Sequence, residues 1–100
     1  MKIKDGVILS GLDMSMRKVL IGADHIWNSL GQELVVTSGL DGVHSSSSYH
    51  YYGRALDFRI SYFSNDERKL AAIMLRHDLG DDYDVVLHST HIHVEYDPVR

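Results

Sequence analysis

Over residues 13–30 the apolar positions Met16, Val19, Leu20, Ala23, Ile26, Trp27 and Leu30 recur every three or four residues, with Arg17, Lys18, Asp24, Asn28 and Ser29 on the other side. That period matches the α-helical turn, so the spacing predicts an amphipathic helix whose apolar stripe lies in the core. Asp13 or Ser15 is placed to cap its start and Gly31 its end. Gly22, inside the helix, costs about 1 kcal/mol relative to alanine, which close packing of a neighbour would explain. His25 falls on the polar side, a solvated position. The pattern then changes: residues 33–38 are rich in β-branched side chains and read as a strand, ending at the turn chemistry of Ser38-Gly39-Leu40-Asp41-Gly42. Over residues 54–60 alternation puts Leu56 and Phe58 on one face and Ala55, Asp57 and Arg59 on the other. Ser64-Asn65-Asp66-Glu67 has the form of a capping box, and Leu70, Ile73, Met74 and His77 carry a helical stripe to Leu79, stopped by Gly80. Residues 83–88 and 91–96, joined by Ser89-Thr90, read as an antiparallel hairpin. These elements add up to an α+β domain, two helices packed on a small, mainly antiparallel sheet.

Composition narrows what such a domain does. One hundred residues make a single small domain, and no repeat or linker divides it. A net charge of -4 argues against a general nucleic-acid binder, and no segment reaches transmembrane length, so neither nucleic acid nor membrane is an expected partner. The start, Met-Lys-Ile-Lys-Asp-Gly, lacks an apolar run of signal-peptide length, so a soluble chain that does not export itself is expected. With no cysteine, a disulfide framework and a thiolate metal site are both excluded, and any metal is held by His, Asp and Glu. Such ligands favour an open site of the catalytic kind.

The chemistry-bearing residues fall in two stripes. The first is Ser48-Tyr49-His50-Tyr51-Tyr52-Gly53-Arg54-Ala55-Leu56-Asp57, where Gly53 lets the chain turn into the strand and bring His50 back toward Asp57. The second is His91-Ile92-His93-Val94-Glu95, whose period of two puts both histidines on one face. Neighbouring strands lie only about 5 Å apart, so the stripes can bring His50, Asp57 and His93 to a single ion. On the residues alone, the same three are also explained as independent polar side chains of a sheet face. A Ser48-His50-Asp57 hydrolase triad is discounted, because no nucleophile elbow surrounds Ser48. His44 and the serines at 45–48 make a polar approach to His50, either a plain surface loop or a substrate edge. Tyr49, Tyr51 and Tyr52 are better explained by packing with a hydrogen-bonded hydroxyl than by substrate contact.

Ser-x-His-x-x-Gly-x-Ala-x-Asp at 48–57, followed by the His-x-His of His91 and His93, resembles the zinc D-alanyl-D-alanine carboxypeptidases and the related L-alanyl-D-glutamate endopeptidases of bacteria and phage lysins. The likeness runs from about Gly11 to Pro98. It implies that family's fold, and zinc on His50, Asp57 and His93. It also implies hydrolysis of a D-Ala-D-Ala or L-Ala-D-Glu bond in the peptidoglycan stem peptide, by a monomeric, phage-type lysin domain acting on the bacterial wall. Two imidazoles and one carboxylate leave a fourth tetrahedral position open, as in hydrolytic zinc sites. Ser48, as the serine of the motif, is the expected substrate contact of the serine run. His91, on the same face as His93, is the first candidate to carry a proton to the leaving amine, and His88 at the end of the preceding strand is the second. Arg59 is placed to orient Asp57 or the substrate's carboxylate, or to form a simple surface ion pair. Many relatives carry Asp or Glu three residues before the last zinc ligand, where this chain has Thr90, neither acid nor base at neutral pH. That departure keeps a second reading alive: a non-catalytic zinc module that binds peptidoglycan or protein.

Overall fold

A computed structural model describes residues 1–39 and 53–98 of the chain. In chain order the elements are β1 (Lys2–Ile3), α1 (Ser15–Ser29), β2 (Val35–Ser38), β3 (Ala55–Arg59), α2 (Asn65–Leu79), β4 (Tyr83–Leu87) and β5 (His91–Tyr96). The strands form one five-stranded sheet in the order β1-β2-β3-β5-β4. The pairs β2/β3, β3/β5 and β4/β5 are antiparallel and β1/β2 is parallel, so the α+β class and the mainly antiparallel sheet follow the sequence pattern. The parallel edge strand is the addition: at two residues, β1 is too short to carry a periodic signal. Among the described residues no helix is long and apolar enough to cross a membrane.

The core lies between the helices and one face of the sheet. Met16, Val19, Ala23 and Trp27 of α1 are fully buried, as are Leu75 of α2, Leu56 and Phe58 of β3, and Ile92 and Val94 of β5. Trp27 joins the layers: its ring meets Phe58 and Phe63 with centroids 5.8 and 5.7 Å apart, and its Nε1–H donates to the carbonyl of Arg59 at 3.0 Å. The indole thus buries its apolar body without orphaning its one donor, and it ties α1 to the end of β3.

Helix ends follow their side chains. Ser64 Oγ accepts from the Glu67 amide at 3.2 Å while Glu67 Oε1 accepts from the Ser64 amide at 2.9 Å, the reciprocal capping box. At α1 the N-cap position is Met14, which makes no side-chain cap; Asp13, one residue earlier, accepts from the amide and hydroxyl of Ser15. Those bonds, the hydroxyl's first, hold the Asp13 carboxyl below its ordinary pKa. Gly31, at φ +83, ends the helix, and the Gln32 amide donates back to the Trp27 carbonyl at 3.0 Å. Gly22 faces α2, where an added Cβ would meet the Asp78 carboxylate, so the glycine does mark a close approach.

The N-terminal segment before α1 fixes where β3 begins. A Cβ at Gly53 would meet the carbonyl of Gly11 at 2.5 Å, and the Asp13 amide donates to the Gly53 carbonyl at 2.8 Å. Gly53 also sits at φ +73, a conformation that glycine adopts freely. Position 53 is therefore constrained twice, by backbone conformation and by backbone contact. Gly53→Ala is expected to lower the unfolding free energy by about 2–4 kcal/mol, the left-handed penalty plus the cost of overpacking. Gly31→Ala, at a similar φ with nothing within 4 Å of the added methyl, should lose only about 1–2 kcal/mol. Urea denaturation of both variants separates the two effects, and equal losses would show that the contact at Gly53 relaxes at no cost.

Candidate metal centre

Strand β3 lies between β2 and β5, and its alternation sends Leu56 and Phe58 into the core while Asp57 and Arg59 take the other face. On β5, Ile92 and Val94 face the core, leaving His91, His93 and Glu95 on the same side as Asp57. The register sets Asp57 directly opposite His93, Arg59 opposite His91 and Ala55 opposite Glu95. From β4, Val86 pairs with His93 and Asp84 with Glu95. On the β2 side the pairing shifts between Val36 and Ser38, an irregularity immediately beside Asp57.

His93 stands between two carboxylates. Its Nδ1 is 2.8 Å from Asp57 Oδ1 and its Nε2 is 2.8 Å from Glu95 Oε1, with the side chains of Asp57, His93 and Glu95 only 17%, 18% and 24% exposed. Ionised carboxylates only accept hydrogen bonds, so this geometry belongs to a ring that donates from both nitrogens, the imidazolium. Burial works against that charge, but the hydrogen bonds to Asp57 and Glu95 outweigh it, and the His93 pKa is raised.

The same arrangement fits a metal. Two ligand atoms of a tetrahedral zinc lie roughly 3.3 Å apart, given bond lengths near 2.0–2.1 Å. Asp57 Oδ1 and His93 Nδ1 already converge to 2.8 Å. At that separation the two atoms are about 0.5 Å closer than a pair of zinc ligands, so holding an ion would require them to open slightly; oxygen and imidazole nitrogen are both ordinary zinc donors. His50, the third expected ligand, and Ser48, the expected substrate contact, lie outside the described residues.

His91 belongs to the same cluster: its Nε2 is 4.0 Å from Asp57 Oδ2. Its other nitrogen, Nδ1, is 3.1 Å from the Thr90 hydroxyl, and its ring stacks on His88 at a centroid distance of 4.6 Å. His88 thus backs His91. Arg59 pairs with His91 across the strands, one position along β3 from Asp57 by the two-residue alternation. The structure therefore gathers Asp57, His91 and His93 and sets His88 and Arg59 at the rim.

Glu95 is the member that the sequence argument passed over. The signal was present, since a period of two that puts His91 and His93 on one face puts Glu95 there too. Asp84, Glu95 and Asp97 also bring carboxylate oxygens within 4.8 Å of one another, an acidic edge on β4 and β5 of a sort common without any ion.

Because the folded-state pKa of His93 is raised, its contribution to the stability of the metal-free protein is complete below the ordinary histidine pKa. It is lost as pH rises through the raised value. The wild type should therefore lose stability toward the alkaline side relative to His93→Gln, whose stability should lack this component. Urea midpoints of both proteins, taken with a chelator from pH 5.5 to pH 9, check the sign; parallel curves would show that the imidazolium adds nothing.

Against protein-family models and against curated proteins the chain finds no match.

Proposed function

We propose that the chain is a zinc-dependent peptidase of the D-alanyl-D-alanine carboxypeptidase and L-alanyl-D-glutamate endopeptidase type, cutting a peptide bond of the peptidoglycan stem peptide. The observation that carries this reading is the direct cross-strand pairing of Asp57 with His93, oxygen to nitrogen at 2.8 Å. Two of the three ligands that the motif implies thus come to one point. A lysin domain acting on the bacterial wall suits the same motif.

In this reading Asp57 and His93, with His50, hold the ion. A zinc ion so held supplies Lewis acidity toward the scissile carbonyl and makes water a nucleophile near neutral pH. The leaving amine still needs a proton. His91 would deliver it: its Nε2 lies 4.0 Å from Asp57 Oδ2 and the Thr90 hydroxyl engages its Nδ1. His88, stacked on the far side, steadies the ring and keeps one face of it from water. Arg59, at the His91 end of the site, offers a cation to a substrate carboxylate.

One observation favours the second reading, a zinc module that binds wall fragments without cutting them. Position 90 carries a hydroxyl where many family members carry a carboxylate, and that hydroxyl is already committed to His91.

Zinc-loaded protein incubated with purified peptidoglycan is expected to release new amine and carboxylate ends, identified by mass spectrometry and absent after chelation. His50→Ala and His93→Ala should each lose stoichiometric zinc and, with it, the thermal stabilisation that metal binding confers on the folded form. If both variants keep one tightly bound zinc, the ligand assignment is wrong. Fully loaded wild type that binds wall fragments but cuts none would replace the peptidase by the binding module.

His91→Ala is expected to keep its zinc and lose about 100-fold or more in turnover, within the usual contribution of a general acid or base. His88→Ala should lose less, since it acts through His91. Steady-state cleavage of a defined wall peptide ranks the two, and a larger loss in His88→Ala would move the proton-carrying role to that residue.

A further inference from the structure

Glu95 is not a ligand in the motif, and its position suggests a different task. We propose that Glu95 is the positioning residue of the centre: it holds the Nε2–H of His93 and thereby commits Nδ1 to the metal. The inference rests on the zinc reading above.

Its basis is the orientation of one ring. Asp57 Oδ1 and Glu95 Oε1 each lie 2.8 Å from a different nitrogen of His93, so the imidazole stands between the two carboxylates. Asp57 comes from the neighbouring strand and shares the ion with Nδ1. Glu95 comes from the same strand two residues on, and lies on the side of the ring away from that ion. It therefore cannot ligate the metal that Asp57 and Nδ1 hold, but it does meet the proton that stays on the ring when Nδ1 gives up its own. Turning the ring over would set carbon atoms against both carboxylates and lose both hydrogen bonds. With the side chain only 18% exposed, water is poorly placed to compensate.

A carboxylate behind a metal-bound imidazole fixes the tautomer and makes the ligating nitrogen more basic. The bond also exists in the metal-free state, so the ring is held ready before the ion arrives. Asp84, directly across from Glu95 on β4, and Asp97 add negative charge on the same side, so this edge of the sheet favours the charge that the ring gains on binding an ion.

The test is zinc affinity, measured by competition with a fluorescent chelator, for wild type, Glu95→Ala and Glu95→Gln, together with the two-bond proton–nitrogen NMR correlations of the His93 ring in each zinc-loaded protein. Wild type should bind one zinc and show a metal-bound Nδ1 and a protonated Nε2 whose proton is protected from solvent. Glu95→Ala should bind zinc about 10- to 100-fold more weakly and lose that protection. Glu95→Gln, which keeps an acceptor oxygen without the charge, should recover part of the affinity and retain Nδ1 coordination. A merely structural role would change stability but leave the ring signature unmoved. If Glu95→Ala binds zinc within about twofold of wild type with the same His93 pattern, the proposal is overturned; should Glu95→Ala not fold, Glu95→Gln with unaltered affinity and an unprotected Nε2 proton overturns it equally. Wild type that takes up no zinc at all removes the zinc reading itself, a result visible before any Glu95 variant is compared.

Discussion

The register of β3 against β5 governs the rest of the site. It pairs Leu56 with Val94 and Phe58 with Ile92 on the core face, and Asp57 with His93 on the other. Because side chains alternate, a slip of one residue on either strand would send Asp57 or His93 into the space now filled by apolar groups. Burying either charge without its partner costs several kcal/mol, and the lost apolar contacts add to that. The hydrophobic core and the candidate centre are therefore two faces of a single constraint. Trp27 reinforces it from the helix layer by donating to the carbonyl of Arg59, the last paired residue of β3.

That constraint has an electrostatic consequence. Holding His93 between Asp57 and Glu95 places two carboxylates on one imidazole, and in the metal-free protein a proton settles the balance. On the zinc reading, an ion bound at Nδ1 would displace that proton. On that reading the proton and the metal would compete for the same nitrogen, so apparent affinity would fall as pH falls. Preorganisation and proton competition thus arise from the same pair of hydrogen bonds.

How much of this was legible in the sequence depends on how far each signal is local. The span of β5 and the capping box of α2 could be read directly, because alternation and a Ser-x-x-Glu spacing are properties of adjacent residues. Close packing at Gly22 could be read from a glycine inside a helix, but its partner Asp78 could not, since helix–helix contact is a long-range fact. β1 could not be read, as two residues carry no period and its place depends on Val35 and Val36 being there to receive it. At the centre, Asp57 and His93 were found through the motif, and their meeting follows from the antiparallel register. Glu95 was overlooked because the motif ends at its last histidine, whereas the sheet continues the same face one step further. For Arg59 the sequence left open a role in orienting Asp57 or a substrate carboxylate and a simple ion pair, and the fold sets it opposite His91.

The turn between β4 and β5 sets the Thr90 hydroxyl against His91. The backbone ties this turn on both sides: the His88 amide donates to the His91 carbonyl at 2.9 Å, and the Ile60 amide to the Thr90 carbonyl at 3.3 Å. Within that frame the Thr90 hydroxyl meets Nδ1 of His91, His88 stacks on the ring, and Nε2 is left directed at Asp57. On the peptidase reading, a threonine here is an orienting group: it fixes which nitrogen faces Asp57 and leaves proton transfer to the imidazole. The exchange of acid for hydroxyl is thus chemically coherent with the histidine beside it, and the two positions are best understood as one unit.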